Sequence, residues 1–132
     1  MEAHRPHPTE YYFFYGTLKD PSLLARDLQL PEPPKMRRAR VTGYHLNRWW
    51  RYPVLIEGPP LHSVDGVAYG IRSEEQRYRL ITYETDKYRL DPCLIEFLDN
   101  ANGVEEIAEG ATFMWNGKDH ELLEGHPNEP SY

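Results

Sequence analysis

The sequence predicts an α+β fold, a small mixed β-barrel with short helices flanking it. Two observations carry this prediction. The apolar segments are short and are separated at frequent intervals by glycine and proline, and helix-start signals follow only some of them. Short strands with glycine kinks close into a barrel more readily than they form a flat sheet, and the helices then cover its outer face.

The first strand is predicted at Tyr11–Tyr15, where five consecutive aromatic residues favour a buried, central position. Gly16 ends this run. The N–H groups of Gly16, Thr17 and Leu18 could therefore point at an anionic group, because glycine allows unusual backbone angles and a close approach to the main chain. A strand, a glycine loop and a helix start recur at anion sites. The alternative is that the glycine merely turns the chain.

Two helices are predicted from their capping signals. Asp20 can cap a helix, Pro21 suits its first position, and residues 22–28 are good helix formers. The second helix begins with a capping box at Ser73–Gln76 and runs to about Tyr83.

The remaining strands follow from apolar runs bounded by turn residues. They are expected at residues 35–47 with a bulge at Gly43, and at 52–57, 64–71, 88–98 and 111–115. Pro92 is expected to break the strand at 88–98, as suits an edge or a bend, and turns are expected at residues 99–103 and 116–117.

The composition fits one soluble domain. The chain has 132 residues, 39% of them hydrophobic, which is enough to bury a core. We expect a flexible arm at residues 1–10, the domain at 11–124 and a tail at 125–132. A net charge of −6 argues against nucleic acid and anionic membranes as partners, and no apolar stretch reaches membrane-spanning length. A single cysteine, Cys93, fits a reducing, cytoplasmic location.

Glu84 is the candidate catalytic carboxylate. It lies at the end of the second predicted helix, between Tyr83 and Tyr88. A carboxylate packed against aromatic rings is desolvated, which raises its pKa and makes it a usable proton shuttle near neutral pH. The alternative is an ordinary glutamate that faces water. Asp86 is not expected to pair with Glu84, because residues two apart do not face each other on a helix.

Other candidate chemistry is weaker. The six histidines show no zinc-like spacing, so no metal site is predicted. Cys93 and His45 could form a nucleophile pair, but a lone cysteine in a strand is usually a small buried hydrophobe. The basic and aromatic segment 35–52 could bind single-stranded nucleic acid, although the acidic total favours a solvated strand whose aromatics cover the mouth of the barrel.

Three motifs in order give a resemblance to a known family. They are Tyr15-Gly16-Thr17-Leu18 after the aromatic strand, Tyr52-Pro53, and the segment 83–88 after the second helix. Together they resemble the gamma-glutamyl cyclotransferase-like superfamily, in its avirulence-induced-gene-like branch of plants and fungi. The resemblance extends from about Tyr11 to Trp115.

The resemblance implies a cofactor-independent enzyme that converts a gamma-glutamyl amine, amino acid or peptide to 5-oxoproline and a free amine. It further implies that the loop Tyr15–Leu18 holds the glutamyl part through backbone N–H groups, that Glu84 is the general acid/base, and that Tyr88 is the aromatic that follows it. Many cyclotransferases have glycine after this glutamate, whereas Thr85 stands here.

The expected partner is therefore a small-molecule substrate, and the expected assembly is a monomer or a weak homodimer. Two alternatives stay open. One is an enzyme of secondary metabolism with a different, non-glutamyl substrate on the same fold. The other is a ligand-binding module without catalysis.

Overall fold

The structure is a computed structural model that describes residues 10–118 and 121–122. Within these residues the chain forms β1 (Glu10–Phe14), a single 3-10 turn (Thr17–Lys19), α1 (Pro21–Leu28), β2 (Arg37–Thr42), β3 (Tyr44–Trp49), β4 (Tyr52–Glu57), β5 (Ser63–Ile71), α2 (Glu74–Glu84), β6 (Tyr88–Phe97) and β7 (Glu106–Trp115). Except for Glu10, the predicted arm lies outside the described residues, as does the predicted tail.

Five strands form a closed barrel in the order β1-β5-β2-β6-β7, while β3 and β4 form a separate hairpin. The barrel is mixed because β1 pairs antiparallel with β5 and parallel with β7. The predicted fold class is confirmed. Two glycines allow the close packing around β1: a Cβ atom at Gly66 would lie 2.3 Å from the carbonyl oxygen of Phe14, and one at Gly110 would lie 2.2 Å from that of Tyr11.

The aromatic strand β1 is buried on both faces. Phe13 belongs to a core cluster of strand residues that continues to Tyr15, whereas Tyr12 and Phe14 join a second cluster that includes Leu24 of α1 and further helix residues. Alternate side chains of a strand point to opposite faces. An aromatic run without polar interruptions is therefore what a strand between a barrel interior and a helical layer requires.

Both helices begin where their caps were predicted. The Asp20 side chain accepts a hydrogen bond from the Ser22 N–H at 2.9 Å. The Ser73 hydroxyl accepts from the Gln76 N–H at 3.1 Å. The return bond of the capping box differs from the expectation, because Gln76 accepts from the Arg72 N–H, at 2.8 Å, and not from that of Ser73. The helix α2 then ends at Glu84.

Three strand predictions need correction. The segment 35–47 is two strands, separated at Gly43, whose φ of +92° turns the chain from the barrel into the hairpin. The strand β7 begins at Glu106, well before residue 111. The sequence did not predict this part of the strand because residues 106–109 are mostly exposed and give no apolar run. The strand β6 passes through Pro92 unbroken. Its pairs with β2 lie near its other end, at residues 96–97, so the proline costs no hydrogen bond to β2.

Candidate active site

A cavity of about 380 Å³ opens where β1, the β3–β4 hairpin, the end of α2 and the start of β6 meet. This volume is typical of a small-molecule site. The structure brings all the predicted site residues to its wall, namely Tyr15, Gly16, Thr17, Leu18, Glu84 and Tyr88. Further lining residues include Trp49, Tyr52, Pro53, Tyr83, Thr85 and Phe113. Their roles in binding and catalysis remain predictions.

The loop after β1 lines this cavity and contains backbone donors without a protein partner. Its first internal hydrogen bonds run from the Lys19 N–H to the Gly16 oxygen, at 3.0 Å, and from the Asp20 N–H to the Thr17 oxygen, at 3.1 Å. Within the described residues, the N–H groups of Gly16, Thr17 and Leu18 donate to no protein acceptor. They stand before the first bonded donor of the turn, where N–H groups have no internal partner.

Only one of the two reasons expected for a glycine applies at Gly16. Its φ is −111°, which other residues also adopt, so a left-handed backbone conformation does not explain the glycine. A Cβ atom there would lie 3.7 Å from the Pro53 Cγ, an ordinary contact distance. The missing side chain therefore leaves space in the cavity between the loop and Pro53.

Tyr15 ties the wall of the cavity together. It is buried, its hydroxyl donates to the Phe113 carbonyl, and the Leu55 N–H donates to that hydroxyl at 3.3 Å. These bonds join β1 to β7 and to the hairpin. Burial raises the pKa of the Tyr15 phenol well above its ordinary value, so this hydroxyl stays neutral. Its role is structural.

Among the described residues that line the wall, Glu84 is the only one with a carboxyl group. The residue as a whole is only partly buried, but burial of its carboxyl, with a smaller contribution from the negative charge of Asp27, raises its pKa to about 7. Glu84 in turn helps to raise the pKa of Tyr88, for which burial is the main cause. A carboxyl that titrates near neutrality can both accept and donate a proton at physiological pH.

The residue after Glu84 has a strained backbone. Thr85 has φ of +65° and ψ of −174°, a combination that is almost restricted to glycine. Its N–H bonds to the Ile81 carbonyl at 3.2 Å and so closes the last turn of α2. Thr85 is the position at which the family resemblance leads us to expect glycine. The strain is thus held next to the candidate catalytic carboxyl.

We expect Thr85→Gly to raise the free energy of unfolding by about 1 kcal/mol, since the release of the backbone strain exceeds the entropic cost of the glycine. The measurement is urea denaturation. Thr82→Gly, the same change at an exposed position inside α2, is the matched control and should lower stability. If Thr85→Gly loses stability as Thr82→Gly does, the backbone of Thr85 is not strained.

The surroundings of the other candidate residues, Cys93 and His45, fit a structural role. Cys93 is buried in the core, where burial raises the pKa of its thiol to about 12 and so disfavours a nucleophilic thiolate. The ring of His45 stacks on that of His62 at a centroid distance of 5.0 Å. Within the described part of the chain, no group of three or more histidine, cysteine or acidic residues is placed to hold a metal ion.

Most of the basic segment 35–52 lies in the strands β2 and β3. A guanidinium nitrogen of Arg37 lies 2.9 Å from an Asp99 oxygen and 2.8 Å from a Glu106 oxygen. That of Arg40 lies 2.8 Å from an Asp65 oxygen. Arg37 thus joins β2 to the connection after β6 and to the start of β7, and Arg40 joins β2 to the neighbouring strand β5. Neither α-helix of the described residues is long and apolar enough to cross a membrane.

Sequence reasoning missed several residues of the wall. Trp49 and Tyr52 pair across the hairpin with ring centroids 6.1 Å apart, and Phe113 reaches the cavity from β7. The Tyr52-Pro53 motif was the available signal for the hairpin. No local pattern marked Phe113, since its contact with the loop depends on closure of the barrel.

The closed mixed barrel and the cavity beside the loop that follows its first strand agree with the gamma-glutamyl cyclotransferase-like class that the sequence resembles. Residues 12–130 match the family described as gamma-glutamyl cyclotransferase, AIG2-like, and the chain belongs to this family. The resemblance found in the sequence is thereby confirmed.

Solved structures agree with this fold. The chain is similar to an Arabidopsis thaliana protein whose structure was determined in solution. The TM-score is 0.69, with 22% identity over 89% of this chain and 77% of that one. It is also similar to a glutathione-specific gamma-glutamyl cyclotransferase from yeast, with a TM-score of 0.58 and 14% identity over 81% of this chain and 69% of that one. At such identities the likeness shows the fold alone. No curated protein matches the chain.

Proposed function

We propose that the chain releases 5-oxoproline from a gamma-glutamyl amine, with Glu84 as the general acid/base. One observation carries the proposal. A carboxyl whose pKa is raised to about 7 lines the same cavity as the three free N–H groups of the Gly16–Leu18 loop. The first group can move a proton, and the second can bind an anion.

The proposed reaction is an intramolecular transfer. The α-amine nitrogen of the glutamyl group bonds to its own γ-carbonyl carbon, and the γ-amide C–N bond breaks. Ionised Glu84 takes one proton from the α-ammonium group, which frees the amine to attack, and gives it to the leaving nitrogen. The ring nitrogen then loses a second proton by the same route, and the leaving group departs as an ammonium ion. The products are 5-oxoproline and a free amine, so the atoms balance without water or a covalent enzyme intermediate.

The loop supplies orientation in this proposal. Ring closure needs the glutamyl chain to fold so that its amine meets its γ-carbonyl. The N–H groups of Gly16, Thr17 and Leu18 would hold the α-carboxylate and thereby fix one end of the chain. A substrate held in a reactive geometry gains rate because it has already lost its conformational freedom.

Formation of 5-oxoproline from a panel of gamma-glutamyl amines, amino acids and peptides tests the proposal. We expect kcat/KM of the best substrate to rise as pH increases through about 7, since protonated Glu84 cannot accept the proton of the α-ammonium group. Reactions without the protein provide the background rate.

Two results would contradict the proposal. A kcat/KM that rises near pH 4.5 would mean that a carboxyl with an ordinary pKa, and not Glu84, controls the rate. Thermal stabilisation by gamma-glutamyl compounds without 5-oxoproline formation would instead indicate a binding module.

A further inference from the structure

A side-chain hydrogen bond joins the two halves of the candidate site. The hydroxyl oxygens of Thr17 and Tyr83 lie 3.1 Å apart, and both residues line the cavity. Thr17 belongs to the loop whose N–H groups are free, and Tyr83 comes directly before Glu84 in the last turn of α2. The bond therefore connects the part of the wall that can bind an anion to the part that can move a proton.

The internal bonds of the 3-10 turn do not fix its position relative to α2. They run from the Lys19 N–H to the Gly16 oxygen and from the Asp20 N–H to the Thr17 oxygen, so they set only the shape of the turn. Both the turn and the last residues of α2 line the cavity. The Thr17–Tyr83 bond crosses from one to the other and so restrains the distance between them.

Buried neighbours hold both partners of this bond near their positions. Leu18 follows Thr17 in the turn, and Leu80 comes three residues before Tyr83 in α2. Both leucines are buried and belong to the same core cluster. Because packing already restricts the backbone on each side, the two hydroxyl groups lose little freedom when they bond, even though the bond is exposed to water.

We propose that Tyr83 is a positioning residue, which through its hydroxyl bond to Thr17 holds the Gly16–Leu18 loop at one spacing from Glu84. This inference rests on the proposed function. A substrate whose α-carboxylate is bound to the loop brings its amine and its γ-carbonyl to Glu84 only when the loop keeps that spacing. Without the bond, the loop would still bind the carboxylate but would spend less time in the reactive arrangement.

Tyr83→Phe removes the hydroxyl group and keeps the ring. We expect kcat for 5-oxoproline release to fall roughly fivefold, the usual effect of one hydrogen bond, while KM changes less than about twofold. The assay is run at a temperature where circular dichroism shows every variant to be fully folded. Tyr78→Phe makes the same change on α2, at a position that is 69% exposed and outside the cavity. This control should keep both constants.

A double-mutant cycle with Thr17→Val shows whether Tyr83 acts through Thr17. The bond is already lost when the Thr17 hydroxyl is absent, so Tyr83→Phe should have no further effect on kcat in the Thr17→Val background. If the two losses multiply instead, Tyr83 acts independently of Thr17 and the inference is overturned. An unchanged kcat in Tyr83→Phe alone, or a rise in KM without a fall in kcat, also overturns it and leaves the proposed activity standing.

A second measurement does not depend on turnover. The N–H groups of Lys19 and Asp20 are bonded within the turn, so their exchange with deuterium, followed by NMR, reports how often the turn opens. If no gamma-glutamyl compound releases 5-oxoproline, the proposed function fails, and this exchange decides whether Tyr83 restrains the loop. Exchange that is roughly fivefold faster in Tyr83→Phe than in Tyr78→Phe supports the restraint. Equal exchange rates in the two variants overturn it.

Discussion

Glu84→Gln is expected to lower kcat for 5-oxoproline release by roughly 100- to 10,000-fold, the range for loss of a general acid/base. The amide has the shape of the carboxyl but cannot carry the proton from the α-ammonium group to the leaving nitrogen. The measurement is product formation under saturating substrate. Glu74→Gln, the same change at the exposed start of α2, is the control and should keep full activity. Full turnover by Glu84→Gln would exclude the acid/base role.

The same variant has a stability signature with a definite sign. The pKa of Glu84 is raised from 4.5 to about 7 in the folded protein, so the folded state binds this proton more tightly than the unfolded state does. The stabilisation is complete below pH 4.5 and is lost as pH rises to about 7. Glutamine does not ionise. We therefore expect Tm of Glu84→Gln, relative to the unaltered protein, to increase between pH 5 and pH 8.

Gly110→Ala is expected to lower the free energy of unfolding by at least about 2 kcal/mol, as overpacking in a dense core does. The new Cβ atom would lie 2.2 Å from the Tyr11 carbonyl oxygen and 2.6 Å from the Ile95 Cδ1. The first neighbour is backbone and cannot move unless β1 parts from β7. Urea denaturation with an unchanged m-value measures the loss.

Gly16→Ala is the matched control for stability. Its Cβ atom would meet Pro53 at 3.7 Å, which requires no shift of the backbone. Its free energy of unfolding should stay within about 0.5 kcal/mol of that of the unaltered protein. Equal stability of the two alanine variants would mean that the close contact at Gly110 does not limit barrel closure.

Local signals predicted the elements that depend on neighbouring residues. The caps at Asp20 and Ser73 and the strand Tyr52–Glu57 are at the expected positions. The predictions failed where long-range pairing overrides local pattern. The mostly exposed residues Glu106–Glu109 belong to β7 because β6 pairs with them. Gly43 separates two strands that belong to different sheets, which no local pattern could reveal.

Local patterns marked the Gly16 loop and Glu84 separately, and only the family resemblance placed them in one site. Thr17 and Tyr83 are 66 residues apart, yet their hydroxyl groups lie 3.1 Å from each other. Periodicity cannot place such residues together. The contribution of Asp27 to the pKa of Glu84 also depends on how α1 packs on α2. The conformation of Thr85 was unpredicted as well, because threonine gives no signal for a glycine-like backbone.

The parallel pairing of β1 with β7 has a consequence for how the molecule folds. The Tyr15 hydroxyl and the Phe113 carbonyl join positions 98 residues apart, and the Thr112 hydroxyl bonds to the Phe13 carbonyl across 99 residues. Contacts this distant in sequence form late and slow the search for the native state. We therefore expect the cavity to appear only when β7 docks. During synthesis, the cavity would therefore be absent until β7 has left the ribosome and docked beside β1.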